Sequence, residues 1–430
     1  MNICMFTNTF LPHVGGVARS VATFADDLRQ KGHQVLIIAP TFPHVSRGED
    51  AATGAFRVPA IQNFNGSDFS VRLPVPYPVH ERIDKFKPDI IHSHHPFLLG
   101  DTALRIARAH GLPLVFSHHT FYEHYTHYIP FDSELVRSFV RRLSSKYANL
   151  CHGVIAPSES VAEIIRARGV ERPIAVIPTG VDLSLFKGGR SERFRRQHGL
   201  SSGTHLIGHV GRLAAEKNLA YLARAVASYL GHNQDCRFAV VGHGEAETTI
   251  REIFAEVGAA DRLILTGPLQ HENLADAYRA FDLFVFSSQT ETQGVVLAEA
   301  MAAGTPVIAL DAPGAREVVK DGNNGRLLAA TATSEEFSSA IEDFFRDPAR
   351  AAAWRRQARQ TARRFSRPRC AERMLSFYGQ IIRRHLEVKP TATKEMDDSV
   401  IEMLKGEWEL LQEKVAAAVS AAVDHKHRKD

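Results

Sequence analysis

The sequence predicts an α/β protein built from two doubly wound domains. Short apolar runs suit buried parallel strands, helix-length amphipathic stretches follow them, and this alternation starts afresh after a polar segment near the middle of the chain. The length of 430 residues fits this interpretation, because domains of roughly 100–200 residues are usual. Disorder and fibrous repeats are disfavoured.

The two halves can be followed element by element. The first half has five predicted strands, over residues 2–7, 34–40, 89–94, 114–118 and 153–157. Residues 183–203 form a polar stretch with one short basic helix, and we place the domain boundary there. The second half has five further predicted strands, over residues 206–210, 237–241, 263–266, 283–287 and 306–310. A helix is expected at about 294–303, and residues 334–387 read as helical.

Composition excludes several classes of protein. With 52 Lys and Arg against 48 Asp and Glu, the net charge of +4 is small for this length, so a nucleic-acid partner is not expected. The four cysteines form no CxxC pair, which fits a reducing compartment and buried thiols. The N-terminus lacks the features of a signal peptide, and nowhere do 18 apolar residues run uninterrupted. We therefore expect a cytoplasmic protein, or one attached to a membrane surface.

The first connection from strand to helix contains a pair of glycines. In TNTFLPHVGGVARS, Gly15 and Gly16 come immediately before a helix. Backbone amides at such a position can approach a phosphate, and the helix N-terminus adds partial positive charge. A simple turn would also explain a glycine pair, and the spacing of a dinucleotide fingerprint, GxGxxG, is missing.

Two cations open the second domain. In HVGRLAAEKN, Arg212 follows the carboxyl end of a strand and Lys217 comes five residues later. A guanidinium and an ammonium that converge there suit a diphosphate, whose charge they neutralise as it leaves. The alternative is a pair of solvated surface cations.

The segment SSQTETQGVVLAEAMAAGTPVIAL is the most specific element. It places Glu291 just before a helix and Glu299 on it, with seven residues between them. Carboxylates pair well with vicinal diols because each has two acceptor oxygens. Amides at the helix start can bind an anion, namely those of Gln293, Gly294, Val295 and Val296. A glutamate that only favours the helix dipole is the structural alternative.

Together these features resemble glycosyltransferase family 4. The glycine pair, Arg212 with Lys217, and ETQGVVLAEAMAAGTPV match that family's signature, and the similarity covers about residues 1–385. The family consists of retaining enzymes with the GT-B fold, in which two Rossmann-like domains face each other across a cleft. The resemblance implies an acceptor domain over 1–190, a nucleotide-sugar domain over 191–370, and a helix over 371–388 that crosses back to the first domain. A helical tail over 389–430 departs from the family pattern.

The resemblance also implies the donor contacts. Arg212 and Lys217 would grip the diphosphate of the donor, Glu291 would hold the donor sugar, and Glu299 would hold the ribose. The remaining donor contacts would be Gly15, Gly16, Gly242, Leu269 and the helix-start residues Gln293, Gly294, Val295 and Val296. The family needs neither metal nor cofactor, so Arg212, Lys217 and helix dipoles would balance the charge of the leaving group.

Histidines cluster in the first domain. His119 matches a position where the family often has a histidine beside the reacting sugar carbon, which assigns it to the catalytic set with Glu291, Arg212 and Lys217. Zinc on His92, His94, His118 and His119 is a disfavoured alternative, because structural zinc sites usually include cysteine and catalytic ones need a defined third ligand.

The acceptor is indicated by HHTFYEHYTHYIP. This segment resembles the HTxYExYxHYIP stretch of bacterial 1,2-diacylglycerol glycosyltransferases, the glycolipid synthases, and the resemblance places Tyr122, Glu123, His127 and Tyr128 on the acceptor side. The helix that follows mixes apolar residues with Arg137, Arg141, Arg142 and Lys146. That mixture suits an anionic membrane surface, and equally a helix with one core stripe and one solvated face.

The sequence thus predicts a retaining hexosyltransferase that uses a UDP-sugar, with UDP-glucose as the default, and a lipid acceptor, diacylglycerol. It would be peripheral on the inner face of the cell membrane. A soluble or polyprenyl-linked sugar acceptor is the alternative within the family, and a nucleotide-sugar epimerase is a more distant one. The tail carries a heptad-like stripe from Ile401 to Ala422, which predicts packing on its own domain, self-association or membrane contact.

Overall fold

The computed structural model describes residues 1–13, 15–42, 50, 53–61, 71–72, 77–124 and 133–388. The predicted acceptor residues His127 and Tyr128 lie outside these ranges, and so does the tail over 389–430, whose self-association stays a prediction. The chain forms two compact units. One comprises Met1–Thr179 and the chain from Cys370 onward, and the other comprises Gly180–Arg369.

The strands in the described residues are short, mostly four to six residues long. They are β1 Asn2–Phe6, β2 Gln34–Pro40, β3 Ala55–Val58, β4 Ala60–Ile61, β5 Val71–Arg72, β6 Ile90–Ser93, β7 Leu114–Ser117, β8 Gly153–Ala156, β9 Ile174–Val176, β10 His205–Val210, β11 Cys236–Val241, β12 Leu263–Gly267, β13 Leu283–Phe286, β14 Val307–Leu310 and β15 Gly325–Leu328.

The α-helices alternate with these strands and make up about half of the structure. They are α1 Gly16–Gln30, α2 Tyr77–Phe86, α3 Leu99–Ala109, α4 Glu134–Leu150, α5 Glu159–Ala167, α6 Leu183–Lys187, α7 Ser191–Gln197, α8 Leu219–His232, α9 Ala246–Glu256, α10 His271–Ala280, α11 Val295–Ala303, α12 Ala315–Val318, α13 Ser334–Arg346, α14 Pro348–Ala362 and α15 Arg367–Val388. None of the described helices is both long and apolar enough to cross a bilayer.

Each unit is built on a parallel sheet. Among the described residues, the first sheet has the order β3-β2-β1-β6-β7-β8-β9 and the second has the order β12-β11-β10-β13-β14-β15. In both, the strand order reverses beside the first strand of the unit, between β1 and β6 and between β10 and β13. Ligands of doubly wound folds bind outside the carboxyl ends of the strands at this switch point. The predicted α/β class with two doubly wound domains is confirmed.

Most strands of these sheets bury side chains on both faces. In β1, Cys4 and Phe6 enter one apolar core, and Ile3 and Met5 enter the core on the opposite face, as the alternation of side chains along a strand requires. Helix α15 packs on the second of these cores through a stripe at helical spacing, made of Cys370, Met374, Phe377, Tyr378 and Ile381. All four cysteines are buried and none of them forms a disulfide, as their spacing indicated.

Candidate functional site

The two predicted donor cations lie at the switch point of the second sheet. Gly211 and Arg212 follow β10 directly, and Lys217 ends a 3₁₀ turn over Ala215–Lys217. Glu291 belongs to the connection between β13 and α11. Because β10 and β13 are neighbours in the sheet, their two connections meet at one edge, which places all three charged side chains where doubly wound folds bind ligands.

Side-chain hydrogen bonds tie these two connections together. The hydroxyl of Ser287 donates to the backbone carbonyls of Lys217, at 3.1 Å, and Asn218, at 3.0 Å. The hydroxyl of Thr290 donates to the carbonyl of Glu216 at 3.3 Å. The turn that carries Lys217 is therefore fixed to the loop that leads to Glu291.

The charged side chains at this point form two ion pairs. Nζ of Lys217 lies 2.5 Å from Oε1 of Glu291, and both side chains are mostly buried. Arg212 pairs with Glu216 one turn away. Lys217, a predicted diphosphate ligand, and Glu291, the predicted sugar ligand, are thus direct neighbours, and a charge-assisted contact of this kind holds both groups in defined positions.

A buried histidine lies beneath this pair and was not predicted as a site residue. Nδ1 of His209, in β10, lies 3.0 Å from the carbonyl oxygen of Val285. Because a carbonyl only accepts, the hydrogen is on Nδ1 and Nε2 is left as an acceptor. Burial lowers the pKa of His209 to about 4. The sequence offered little indication of a role for His209, because a single histidine within an apolar strand is commonly a core residue.

Two glycines allow backbones to approach closely at this edge. A β-carbon on Gly242, whose φ is +141°, would lie 1.9 Å from the carbonyl oxygen of Gly211. A β-carbon on Gly294, whose φ is +66°, would lie 2.9 Å from the carbonyl oxygen of Gly314. Any other residue at 242 or 294 would push apart the connections that carry the donor-site candidates. Leu269, another predicted donor contact, lies after β12, is partly buried and packs against the core.

Helix α11 begins one residue later than predicted, at Val295, with Gly294 as its N-cap. Val295 and Val296 are partly buried in its first turn, and Gln293 is buried just before it. Glu299 lies deeper, at 2% exposure, where one carboxylate oxygen accepts a hydrogen bond of 2.9 Å from the hydroxyl of Tyr278. Tyr278 was not predicted as a site residue, because it lies 21 residues earlier in a helix with an ordinary amphipathic pattern.

In the first unit, Gly15 caps α1 and Gly16 is its first residue, as predicted. A β-carbon on Gly16 would meet no atom within 4 Å, so its backbone is open to a ligand. The loop before these glycines is held by Arg57, whose guanidinium donates to the carbonyl of Leu11 at 2.6 Å and lies over the ring of Phe10. Sequence reasoning missed Arg57, which is distant in the chain.

The predicted catalytic histidine belongs to a histidine cluster at the carboxyl ends of β6 and β7. Nε2 of His119 lies 2.8 Å from Nδ1 of His94, and the two rings are stacked. His92 lies next to them, 2.6 Å from the hydroxyl of Tyr378 and 2.8 Å from that of Ser117. Burial, and then the neighbouring His118, lower the pKa of His119 to about 3, so the ring is neutral near pH 7.

Two predicted acceptor residues are in the described part of the chain, in a 3₁₀ turn over Tyr122–His124. The hydroxyl of Tyr122 donates to the carbonyl of His94 at 3.4 Å. The carboxylate of Glu123 is buried and pairs with Arg168 at 2.6 Å, and the guanidinium of Arg168 also lies over the ring of Phe121. Glu123 thus anchors the acceptor turn to the domain.

Helix α4 follows the acceptor segment. Ser133 caps its N-terminus, and its buried residues are confined to the second half, from Leu143 onward. In the first half, Leu135 and Arg137 are exposed, while Phe139 and Arg141 are partly exposed. This half therefore presents apolar and cationic side chains together at the surface.

The described residues contain no group of three or more His, Cys, Asp or Glu side chains arranged to hold a metal ion. The histidine cluster instead bonds within itself and to hydroxyl groups.

Two doubly wound parallel-sheet units in one chain are the architecture of GT-B glycosyltransferases. Two family models match the sequence: Glycosyltransferase Family 4 over residues 14–185 and Glycosyl transferases group 1 over residues 190–361. The alpha-monoglucosyldiacylglycerol synthase of Streptococcus pneumoniae is 32% identical over 332 residues, which is 76% of this chain and 75% of the synthase. The chain therefore belongs to glycosyltransferase family 4, as the sequence motifs indicated.

A second relative is named for its donor, GDP-mannose. The GDP-mannose-dependent alpha-mannosyltransferase of Mycobacterium tuberculosis is 31% identical over 333 residues, covering 76% of this chain and 84% of that enzyme. Among solved structures, Anabaena HepE in complex with UDP aligns with a TM-score of 0.71 at 22% identity, over 88% of this chain and all of HepE. The enzyme is a glycosyltransferase with the GT-B fold.

Proposed function

We propose that this family 4 enzyme transfers a hexosyl group from a UDP-sugar, UDP-glucose, to diacylglycerol at a membrane surface. The lipid acceptor is supported chiefly by the first half of α4, which follows the predicted acceptor segment and whose exposed and partly exposed side chains include both apolar and cationic groups. Similarity to two enzymes named alpha-monoglucosyldiacylglycerol synthase, at 32% and 26% identity, supports the same acceptor and a glucosyl donor.

The donor would be held by the second unit. Arg212 and Lys217 carry the charge that a diphosphate needs, and Glu291 contacts Lys217 directly. When Lys217 turns to the diphosphate, Glu291 can accept hydrogen bonds from sugar hydroxyls, and Glu299 would bind the ribose. Gly15 and Gly16 would contribute backbone amides at the start of α1.

The reaction proceeds with retention at the anomeric carbon. The bond from that carbon to the diphosphate oxygen breaks, the acceptor hydroxyl oxygen bonds to the same face, and its proton passes to the departing phosphate oxygen. In this proposal Glu291 binds sugar hydroxyls and forms no covalent intermediate. Arg212 and Lys217 stabilise the charge on the leaving group without a metal ion. His119, held neutral, would position the sugar through a hydrogen bond.

Membrane attachment follows from the same helix. Each cation near an anionic surface contributes on the order of 1 kcal/mol, and the exposed Leu135 adds apolar contact. The enzyme would then reach diacylglycerol from the inner face of the membrane, where nucleotide sugars are available.

Vesicle flotation tests this proposal. We expect binding to vesicles that contain phosphatidylglycerol, weaker binding at high salt, and weaker binding after the double substitution R137E with R141E. The matched control is R251E, which changes an exposed arginine of the second unit. Equal binding to neutral phosphatidylcholine vesicles, or no effect of the double substitution, would contradict the proposed surface.

A second candidate function is transfer of mannose from GDP-mannose, which the 31% identical mannosyltransferase supports. Its acceptor would be a soluble or polyprenyl-linked sugar. Transfer from GDP-mannose to such an acceptor, without transfer to diacylglycerol, would favour this candidate. Epimerised sugar nucleotide formed in the absence of any acceptor would instead favour an epimerase.

A further inference from the structure

The hydroxyl of Tyr278 donates a hydrogen bond of 2.9 Å to Oε2 of Glu299. We infer that Tyr278 is a positioning residue, which fixes the carboxylate of Glu299 so that it can recognise the ribose diol of the donor nucleotide. This inference rests on the proposed function, because it is that function which gives Glu299 its ligand.

Tyr278 is built as a rigid donor. Its side chain is fully buried in α10, with the rings of Phe186, Phe281 and Phe284 packed around it at centroid distances of 5.4 to 6.0 Å. Its backbone carbonyl accepts a hydrogen bond of 2.7 Å from the hydroxyl of Thr305. A ring enclosed in this way cannot change rotamer without disturbing the core, so the direction of its hydroxyl is set in advance.

Glu299 is costly as a purely structural residue. It is 2% exposed, and every other residue of α11 is Val, Leu, Ala or Met. An apolar residue at such a position is usually at least as favourable for stability as a buried carboxylate, even one that has partners. A carboxylate that is nevertheless present, and is oriented by a fixed donor, is best explained by a ligand that uses it.

The chemistry of the pair matches a vicinal diol. A carboxylate has two oxygens and about four lone-pair positions, and the bond from Tyr278 uses one position on Oε2. The bond also fixes rotation about the last torsion of the side chain, which is otherwise soft. A carboxylate held in one plane can accept from two adjacent hydroxyl groups with little loss of entropy on binding.

The experiment compares nucleotides with and without the diol. Binding of UDP, GDP and their 2′,3′-dideoxy analogues to the full chain is measured by calorimetry for wild type, E299Q and Y278F. Whichever of UDP and GDP binds, we expect wild type to bind it more tightly than its 2′,3′-dideoxy analogue. In Y278F the preference should fall by about fivefold, because one hydrogen bond to a charged group is lost.

A second buried tyrosine provides the control. Tyr147 is 1% exposed, and its hydroxyl donates to the carbonyl of Gly100 at 2.8 Å and also contacts the side chain of Ser93, so Y147F likewise removes a hydroxyl that is hydrogen-bonded in the core. Y147F should lower the unfolding midpoint to a similar extent as Y278F and keep the full diol preference. This comparison separates a positioning role from a general loss of stability.

The outcomes are distinct. If E299Q loses the diol preference and Y278F keeps it, the positioning role of Tyr278 is wrong while the ribose contact stands. If wild type and E299Q prefer the diol to the same extent, or if neither prefers it, Glu299 does not bind the ribose. The inference about Tyr278 is then wrong as well. Equal loss of preference in Y278F and Y147F would show that Tyr278 acts only through stability.

Discussion

The ammonium group of Lys217 lies 2.5 Å from Oε1 of Glu291, and this contact joins the connection after β10 to the connection after β13. The two residues are 74 positions apart in the chain, yet Ser287 and Thr290 hold their backbones together. The pair places a predicted diphosphate ligand beside a predicted sugar ligand at the switch point of the second sheet.

Removing either member of the pair should abolish transfer. K217A and E291A should each lower kcat/KM by at least about 100-fold, because charge stabilisation at a leaving group is commonly worth that much. The unfolding midpoint should also fall, because each substitution removes one charge of a mostly buried pair, so transfer is assayed at a temperature well below that midpoint. R251A, which breaks an exposed pair with Glu247 in the same unit, serves as the control and should leave activity unchanged. Near-normal turnover by K217A or E291A would refute the site.

Substitution of Gly242 should disturb the donor site through the backbone. In G242A the new β-carbon would lie 1.9 Å from the carbonyl oxygen of Gly211, at a φ of +141°. We expect a loss of about 1–3 kcal/mol in unfolding free energy, together with weaker nucleotide binding. The control is G231A in helix α8, where the new β-carbon would meet no atom within 4 Å. This substitution should raise the unfolding free energy by about 0.5–1 kcal/mol. Unchanged nucleotide affinity in G242A would contradict this account.

The fold and the site differ in how much the sequence revealed. All ten predicted strands are present. Nine of them are buried almost throughout, as strands covered on both faces of a parallel sheet should be, and the edge strand β12 is partly exposed. The edge strands β3 and β15 were not predicted. The two central residues of β3 are partly exposed and only the first residue of β15 is buried, so neither strand is a continuous buried run. Sheet order also could not be obtained, because it depends on pairings between distant segments.

The sequence predicted which residues form the candidate site, but it did not predict the contacts between them. Lys217 and Glu291 were each proposed from local motifs, whereas their ion pair and its support by Ser287 exist only in three dimensions. Arg57 and Tyr278 were missed for the same reason, since each acts on a loop or helix far away in the chain. Residues that belong to a local motif could be predicted from the sequence. Residues that act through a tertiary contact could not.

The histidine cluster should make the protein less stable in mild acid. Burial lowers the pKa of His118 to about 4 and those of three other rings to about 3, namely His92, His95 and His119, and it holds the pKa of His94 well below its ordinary value. In the unfolded chain these values return to about 6.5. Below that pH the unfolded state binds more protons, so the unfolding free energy falls as the pH drops from about 6.5 towards 4.

Urea unfolding between pH 7.5 and 4.5 measures this effect. Each ring contributes a slope on the order of 1 kcal/mol per pH unit. In H95Q the slope of unfolding free energy against pH should decrease by the contribution of about one proton. Glutamine does not titrate, and it can accept the hydrogen bond of 3.1 Å from the backbone amide of Asn8. A stability that does not change from pH 7 to pH 5 would show that the rings are not held neutral.

His119 should act as a neutral group throughout the working range. Its pKa of about 3 lies far below pH 5, so ionisation of this ring should not appear in the pH profile of kcat/KM. H119Q should lower kcat/KM by about tenfold, through loss of a positioned hydrogen bond, and should leave the shape of the profile unchanged between pH 5.5 and 8.5. An acidic limb near pH 6.5 that disappears in H119Q would contradict the neutral ring.

The central proposal is transfer of a hexosyl group to diacylglycerol. Wild-type enzyme is incubated with diacylglycerol vesicles and, separately, with UDP-glucose, UDP-galactose, UDP-glucuronic acid and GDP-mannose, and the extracted lipids are analysed by mass spectrometry. The account predicts a monohexosyl diacylglycerol from UDP-glucose, with the α configuration of the donor retained in its NMR spectrum and no product from K217A. The absence of any glycosylated diacylglycerol with all four donors, under conditions in which a sugar acceptor is glycosylated, would contradict it.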